Sequence, residues 1–333
     1  MKKIIVLVLF GSLALFNSCG DDDDKSFEEI VVVANRAGGS ISFIDAKTDV
    51  VTSTLSIPNS EPMYVVYAPK RDKIYVGDRA GRKVHVVNPV TKTLETSINV
   101  GNGVFHMWAN PQGTQLWVNN DIDNTVSVIN LETNVVLQTI NLNAKPHDVF
   151  ISNDGTNAYI SIITSNASTP DKVYLYNTTN FTKTNEIEVG KDPHLFYLPN
   201  SNKLFVPCQS GKVFVLNGDN LNVIASPDFL GAHGVFASPD QSTVYVTNIS
   251  GSQLYAINSI SNTAIGTPTA TAVATPHNIV VTNDGKKMFV AHSGATATKV
   301  TTYSLANGVI TPLSSQITAG TNPFGIAIYR RAL

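Results

Sequence analysis

Five of the seven histidines in this 333-residue chain stand at one place in a recurring segment. The segments read VFHMWANPQG from 104, KPHDVFISNDG from 145, DPHLFYLPNSN from 192, AHGVFASPDQ from 232 and TPHNIVVTNDG from 275. Two further copies, EPMYVVYAPKRD from 61 and NPFGIAIY from 322, carry Met63 and Phe324 in place of the histidine. The anchors Met63, His106, His147, His194, His233, His277 and Phe324 are spaced by 43, 41, 47, 39, 44 and 47 residues. Neutral imidazoles are good ligands for copper and zinc, and repeats arranged about an axis can bring ligands distant in sequence together. The same pattern also suits side chains that pack against a neighbouring repeat and recur because the repeats share ancestry. Both readings stand at this level.

The elements that must position these residues are short strands. Each of the first six segments leads into a second strand (IYVGD, LWVNN, AYISI, LFVPC, VYVTN, MFVAH) and then an alternating third (KVHVVN, TVSVIN, KVYLYN, KVFVLN, QLYAIN, KVTTYSL). A Thr/Val/Ile-rich fourth often follows, and DG, PQG and PNS turns join first to second strands. Four antiparallel strands repeated at this period predict propeller blades. The chain begins with second, third and fourth strands (IVVVAN, SISFID, VVTSTLSI) and ends with a lone first strand, NPFGIAIY. The expectation is an all-β, seven-bladed propeller over residues 28–333, closed by the C-terminal strand joining the N-terminal blade.

In such a ring the first strands line the axis, and their N-terminal ends share a face with the C-terminal ends of the second strands. The latter are Asn35, Asp78, Asn120, Ile162, Cys208, Asn248 and His292. The expected metal ligands are therefore His106, His147, His194, His233, His277, His292 and Cys208. Arg36 and Arg79 follow the second strands and suit bidentate capture of carboxylate or phosphate. With Asp78, Asn120, Met63 and Phe324 they form the expected ligand-binding set on that face, and Phe105 and Trp108 add apolar surface. His194 beside Asp192 is a candidate general base, as for lactone opening. His85, in the third strand of KVHVVN, reads as a packing residue.

Composition narrows the function classes. Hydrophobic residues make up 43% and charged residues 14%, which excludes a disordered chain. A formal charge of −2 gives no field for a nucleic acid. Two cysteines exclude a disulfide scaffold. HExxH, CxxC, GxSxG and phosphate-loop signatures are missing.

The first residues read as an address. Met1-Lys2-Lys3 is basic, Ile4 to Phe16 is nearly unbroken apolar, and Cys19 precedes the run Asp21 to Asp24. The pattern resembles a bacterial lipoprotein signal (1–18), with Cys19 acylated and 19–27 an acidic tether. Cleavage would remove two of the 23 basic residues and none of the 25 acidic ones, leaving a charge of −4. The implied location is the outer membrane, at the cell surface or the periplasmic face, with the lipid as the only membrane contact. An acidic run after the cysteine resembles a surface-sorting signal.

VYVTN at 244–248 and its degenerate copies resemble the YVTN family of bacterial β-propellers over essentially the whole mature chain. Relatives of that kind include surface-layer-like proteins, lactone hydrolases and surface lipoproteins that capture vitamin B12 or siderophores for transporters. The resemblance implies a monomeric, non-catalytic binding lipoprotein that holds a small molecule, metal ion or metal complex, with an outer-membrane transporter as partner. The alternatives are a copper- or zinc-dependent extracytoplasmic enzyme, or a surface-layer or adhesive scaffold.

Overall fold

The computed structural model describes residues 27–332. The signal segment, Cys19 and the Asp21–Asp24 run lie outside the described residues. The remainder is all β: seven sheets of antiparallel strands, one per blade, set around a central channel.

The ring closes as the orphan strands predict. The last strand, Pro323–Ala332, pairs antiparallel with Phe27–Asn35, which continues into Ser40–Asp45 and Val50–Ser56. The join runs from Phe27 opposite Ala332 to Asn35 opposite Pro323. Arg331 adds an ion pair to Glu28 at 3.2 Å, and the Arg330 guanidinium lies 3.9 Å from the centre of the Phe27 ring.

A shared device shapes the outer half of six blades. Their third strands end in Asn or Asp, and this side chain accepts backbone N–H groups two and three residues on, forming an Asx turn. Asp45, Asn88, Asn130, Asn177, Asn217 and Asn258 all do so; the third strand of the seventh blade, Lys299–Ala306, ends in Ala. The turn fixes the hairpin into the exposed fourth strand. In the sixth blade that strand is broken into Thr263–Ala264 and Thr269–Ala270, at the Thr/Ala-rich stretch. Between blades the core is a series of sheet-on-sheet layers, such as Val84, Val86, Met107 and Val118 between the second and third blades.

What most affects the hub is a β-bulge near the start of the innermost strand in six blades. In the third blade Val104 pairs with Asn120 and Met107 with Val118, so Phe105 and His106 together face Asn119. The same two-against-one insertion occurs at Met63–Tyr64, His147–Asp148, His233–Gly234 and Phe324–Gly325, and the seventh blade slips by one at His277. A bulge bends the strand and redirects its side chains. The fifth blade keeps a regular register from the Pro193–Cys208 bridge to Phe196–Phe205.

This register revises the alignment of the repeats. Val104 occupies the place held elsewhere by Pro62, Pro146, Pro193, Pro276 and Pro323. Phe105 is therefore the counterpart of His147, and His106 sits one residue further in, the counterpart of Tyr64 and Asp148.

Candidate metal centre

The bulges build two tiers around the channel. The outer tier holds Met63, Phe105, His147, His194, His233, His277 and Phe324; the inner tier holds Tyr64, His106, Asp148, Leu195, Gly234, Asn278 and Gly325. Two inner-tier glycines are there because neighbouring backbone fills the space. A Cβ on Gly234 would lie 1.9 Å from the His277 carbonyl oxygen, and one on Gly325 2.5 Å from that of Met63.

The five hub histidines are all buried and form an arc of touching rings. Centroids lie 5.2 Å apart for His106–His194, 4.7 Å for His147–His194, 3.9 Å for His194–His233 and 4.7 Å for His233–His277. The tilted rings of Tyr64 against His106 at 3.5 Å and of Phe324 against His277 at 4.1 Å flank the arc.

Two aspartates tie the imidazoles together. The Asp148 carboxylate lies 2.8 Å from His106 Nδ1 and 3.6 Å from His194 Nδ1, and it also accepts the Leu195 N–H. Asp192 lies 3.2 Å from His147 Nε2 and 3.6 Å from His233 Nδ1. The pairing thus crosses between blades, and Asp192 meets His147 and His233 more directly than its sequence neighbour His194. Asp192 is held in turn by Asp171, which accepts its backbone N–H and pairs with Lys191. Lys191 also donates to Thr164 Oγ1 and to the Asn166 and Thr169 carbonyls, pinning the 164–170 loop beside the hub.

Three Nε2 atoms of the cluster converge. His147 Nε2 and His194 Nε2 are 3.2 Å apart, while His106 Nε2 is buried without a partner. One ligand atom each from His106, His147 and His194 falls within a 4.8 Å cluster, and a second cluster joins Asp192, His194 and His233. A tetrahedral ion bonded to nitrogens at 2.0–2.1 Å sets them roughly 3.3 Å apart, close to the His147–His194 separation. A carboxylate on the remote nitrogen is the usual way a protein fixes the tautomer of a metal-binding imidazole, and Asp148 stands so for His106, with His194 Nδ1 further off at 3.6 Å.

The electrostatics point the same way. Burial holds His106 below its ordinary value against the pull of Asp148, and holds His147 and His277 further down. It pushes His233 down to about 4. Burial works to raise Asp148 and Asp192, but the imidazoles beside them prevail and keep both well below the usual carboxylate range. At neutral pH these four histidines are uncharged and both aspartates ionised, an arrangement that favours a cation.

The other expected ligands lie elsewhere. His292 is buried with both ring nitrogens engaged, Nδ1 with the Ala274 carbonyl at 2.9 Å and Nε2 with Thr301 Oγ1 at 2.7 Å. Cys208 is buried, belongs to neither cluster, and has a thiol pushed up to about 12 by burial. The remaining second-strand ends serve their own blades. Asp78 accepts the Glu61 and Gly81 N–H groups and meets His85 at 3.2 Å. Asn120 donates to Thr125 and Ser127, as Asn35 does to Ser40 and Ser42. His85 also meets Ser97 at 2.7 Å and packs within its blade.

The expected ligand-binding residues form a cap over the histidines. Met63, Tyr64 and Phe324 pack together with Phe105 against them. Arg36 lies over the Phe324 ring and pairs with Glu61 at 2.7 Å; Arg79 lies over Phe105 and pairs with Asp121 at 2.7 Å. Both guanidiniums already have carboxylate partners.

No family model and no curated protein matches the chain. Solved structures share its fold. A chain of hydrazine synthase from Kuenenia stuttgartiensis matches with a TM-score of 0.69 at 13% identity, over 85% of this chain and 99% of that one. A protein of unknown function from Desulfotomaculum acetoxidans matches at 0.75 and 12%, over 90% and 98%. A candidate 6-phosphogluconolactonase from Bacteroides fragilis matches at 0.71 and 14%, over 91% and 98%. The chain is a seven-bladed β-propeller. At these identities the likeness concerns the propeller alone.

Proposed function

We propose that this propeller is a binding module that holds one transition-metal ion, copper or zinc, at its hub. The ligands are His106, His147 and His194, with Asp148 orienting the first. The observation that carries this reading is the 3.2 Å approach of His147 Nε2 to His194 Nε2 beside the unpartnered His106 Nε2. One ion between these nitrogens satisfies both imidazoles and uses the third nitrogen, with the Asp192 carboxylate, 3.2 Å from His147 Nε2, beside it. The cluster of Asp192, His194 and His233 is a neighbouring station for the same ion, and Asp192, with its side chain 25% exposed, is its member nearest water.

The proposed setting is extracytoplasmic, with the chain a YVTN-like lipoprotein anchored through Cys19 to the outer membrane. The basic, apolar and Cys19 sequence pattern supports this, and so does the acidic run after it. An outer-membrane transporter is the proposed partner. In Cys19→Ser, fatty-acid labelling and membrane retention should both be lost; labelling that persists rules the anchor out.

The test of the metal centre is elemental analysis of the purified protein after loading with copper or zinc at neutral pH. One ion per chain is expected, falling to background in the double variant His147→Ala, His194→Ala. No bound metal in the unaltered protein defeats the reading.

A further inference from the structure

Beneath the histidines the channel changes character. A chamber of about 70 Å³ has a polar roof of Tyr64, His106, Asp148, His194 and Asn278. Its walls and floor are apolar, dominated by Trp108, Phe150, Phe196 and Phe236. These four rings make a continuous ladder across adjacent blades: Trp108 stacks on Phe150 at 4.1 Å, and Phe150–Phe196 and Phe196–Phe236 each meet at 5.2 Å. Trp108, Phe196 and Phe236 are only partly buried because they border this open space.

A second cavity of about 260 Å³ lies on the far side of the ladder, lined by residues such as Tyr67, Pro69, Pro111, Val280 and Ile328. Among the described residues no charged side chain lines it, and it shares Val65, Val66, Trp108, Phe236 and Ile326 with the chamber. The channel therefore has two unlike ends. The histidine face is capped by Phe105 and Phe324, 6.1 Å apart beneath paired arginines and acids. At the other end the apolar cavity adjoins the chamber across the residues that line both.

We propose that the chamber is a binding site for a small uncharged molecule of two to four heavy atoms, which reaches it through this apolar cavity. The size follows from the chamber volume. The charge follows from the walls: an ion would lose its hydration along an apolar path with no compensating partner. A diatomic gas or a comparably small neutral molecule does not meet that barrier. The site rests in part on the metal reading, because His106 and His194 belong both to the chamber roof and to the proposed ligand set. A guest in the chamber would lie against His106 and His194, two of the proposed ligands. Ile326 and Phe236 border both cavities and control passage between them.

The experiment has one arm that needs no metal. Xenon is added under pressure to the metal-free full chain and followed by 129Xe NMR. Saturable uptake is expected in the unaltered protein and its loss in Ile326→Trp, which fills the junction. Equal uptake in both overturns the proposal. In the second arm the copper(I)-loaded chain is exposed to carbon monoxide. Its association rate should fall at least tenfold in Ile326→Trp and rise in Phe236→Ala, at unchanged copper content. A rate that neither variant moves also overturns the proposal. Xenon uptake blocked by Ile326→Trp in a chain that takes up neither copper nor zinc overturns the metal centre instead and leaves the chamber site standing.

Discussion

Asp148 and His106 meet at 2.8 Å across two blades, carboxylate to Nδ1, at the inner tier of the hub. Neither has an equivalent charged partner in the other five blades, where this tier is Tyr64, Leu195, Gly234, Asn278 or Gly325. The contact leaves His106 Nε2 free and aligns the third and fourth blades around one cluster.

Asp148→Asn keeps the shape of that contact and removes its charge. The imidazole it orients loses the partner that fixes its tautomer. Metal affinity should fall roughly 10- to 100-fold, as for other such outer carboxylates. A competition titration against a chelator of known affinity measures this, and an unchanged affinity contradicts the assigned role.

The metal-free protein should lose stability as pH falls. The folded-state values of His106, His147, His233 and His277 are depressed, with His233 at about 4. Above pH 6.5 these groups are neutral in both states. Below it the unfolded chain takes up protons that the folded hub refuses, so stability drops by up to about 1.4 kcal/mol per pH unit for each histidine. Below about pH 4 the depressed Asp148 and Asp192 add a loss in the same direction, as the unfolded carboxylates protonate first. Melting temperature against pH is the measurement. The slope between pH 6.5 and 4 should be shallower in His233→Gln.

His292→Ala separates packing from coordination. It empties a fully buried position and removes the bonds to the Ala274 carbonyl and the Thr301 hydroxyl, though Thr301 keeps Tyr303; the cost is about 1–3 kcal/mol. Metal content should not change. A lower melting temperature with full metal loading is the expected pair of results; lost metal would bring His292 into the ligand set.

Gly234→Ala places a methyl group against the His277 carbonyl and forces two blades apart at the hub. A loss of about 1–3 kcal/mol is expected, with weaker metal binding from the displaced arc. Denaturant midpoints compared with Gly266→Ala, where nothing lies near the added carbon, separate this clash from the loss of a glycine that strains the backbone.

Removing residues 322–333 leaves the closing blade without its innermost strand and exposes the edge of Phe27–Asn35. Aggregation or a collapse of the melting transition is expected, read by size-exclusion chromatography and calorimetry. A monomer with unchanged melting would show that the seam contributes nothing.

The sequence by itself determined the blade count, the strand order and the closure. Alternating strands recur in every blade, third strands ending in Asn or Asp recur in six, and the orphan strands mark the two ends. It also brought His147, His194, His233 and His277 to one face, since equivalent positions in a ring are equivalent in space. The tertiary structure alone decided the chemistry. A β-bulge inserts a residue without leaving a mark that distinguishes it from a longer loop, so the spacing of 43 and then 41 residues hid the one-residue offset of His106. That offset is what delivers its ring to Asp148. The second-strand ends were assigned to the right rim by topology, but Asp78, Asn120 and His292 spend their polar atoms on turns and neighbouring strands within their own blades, a matter of side-chain direction. The crossing of Asp192 to His147 and His233, and the apolar chamber under the cluster, depend on distances between blades that no single repeat encodes.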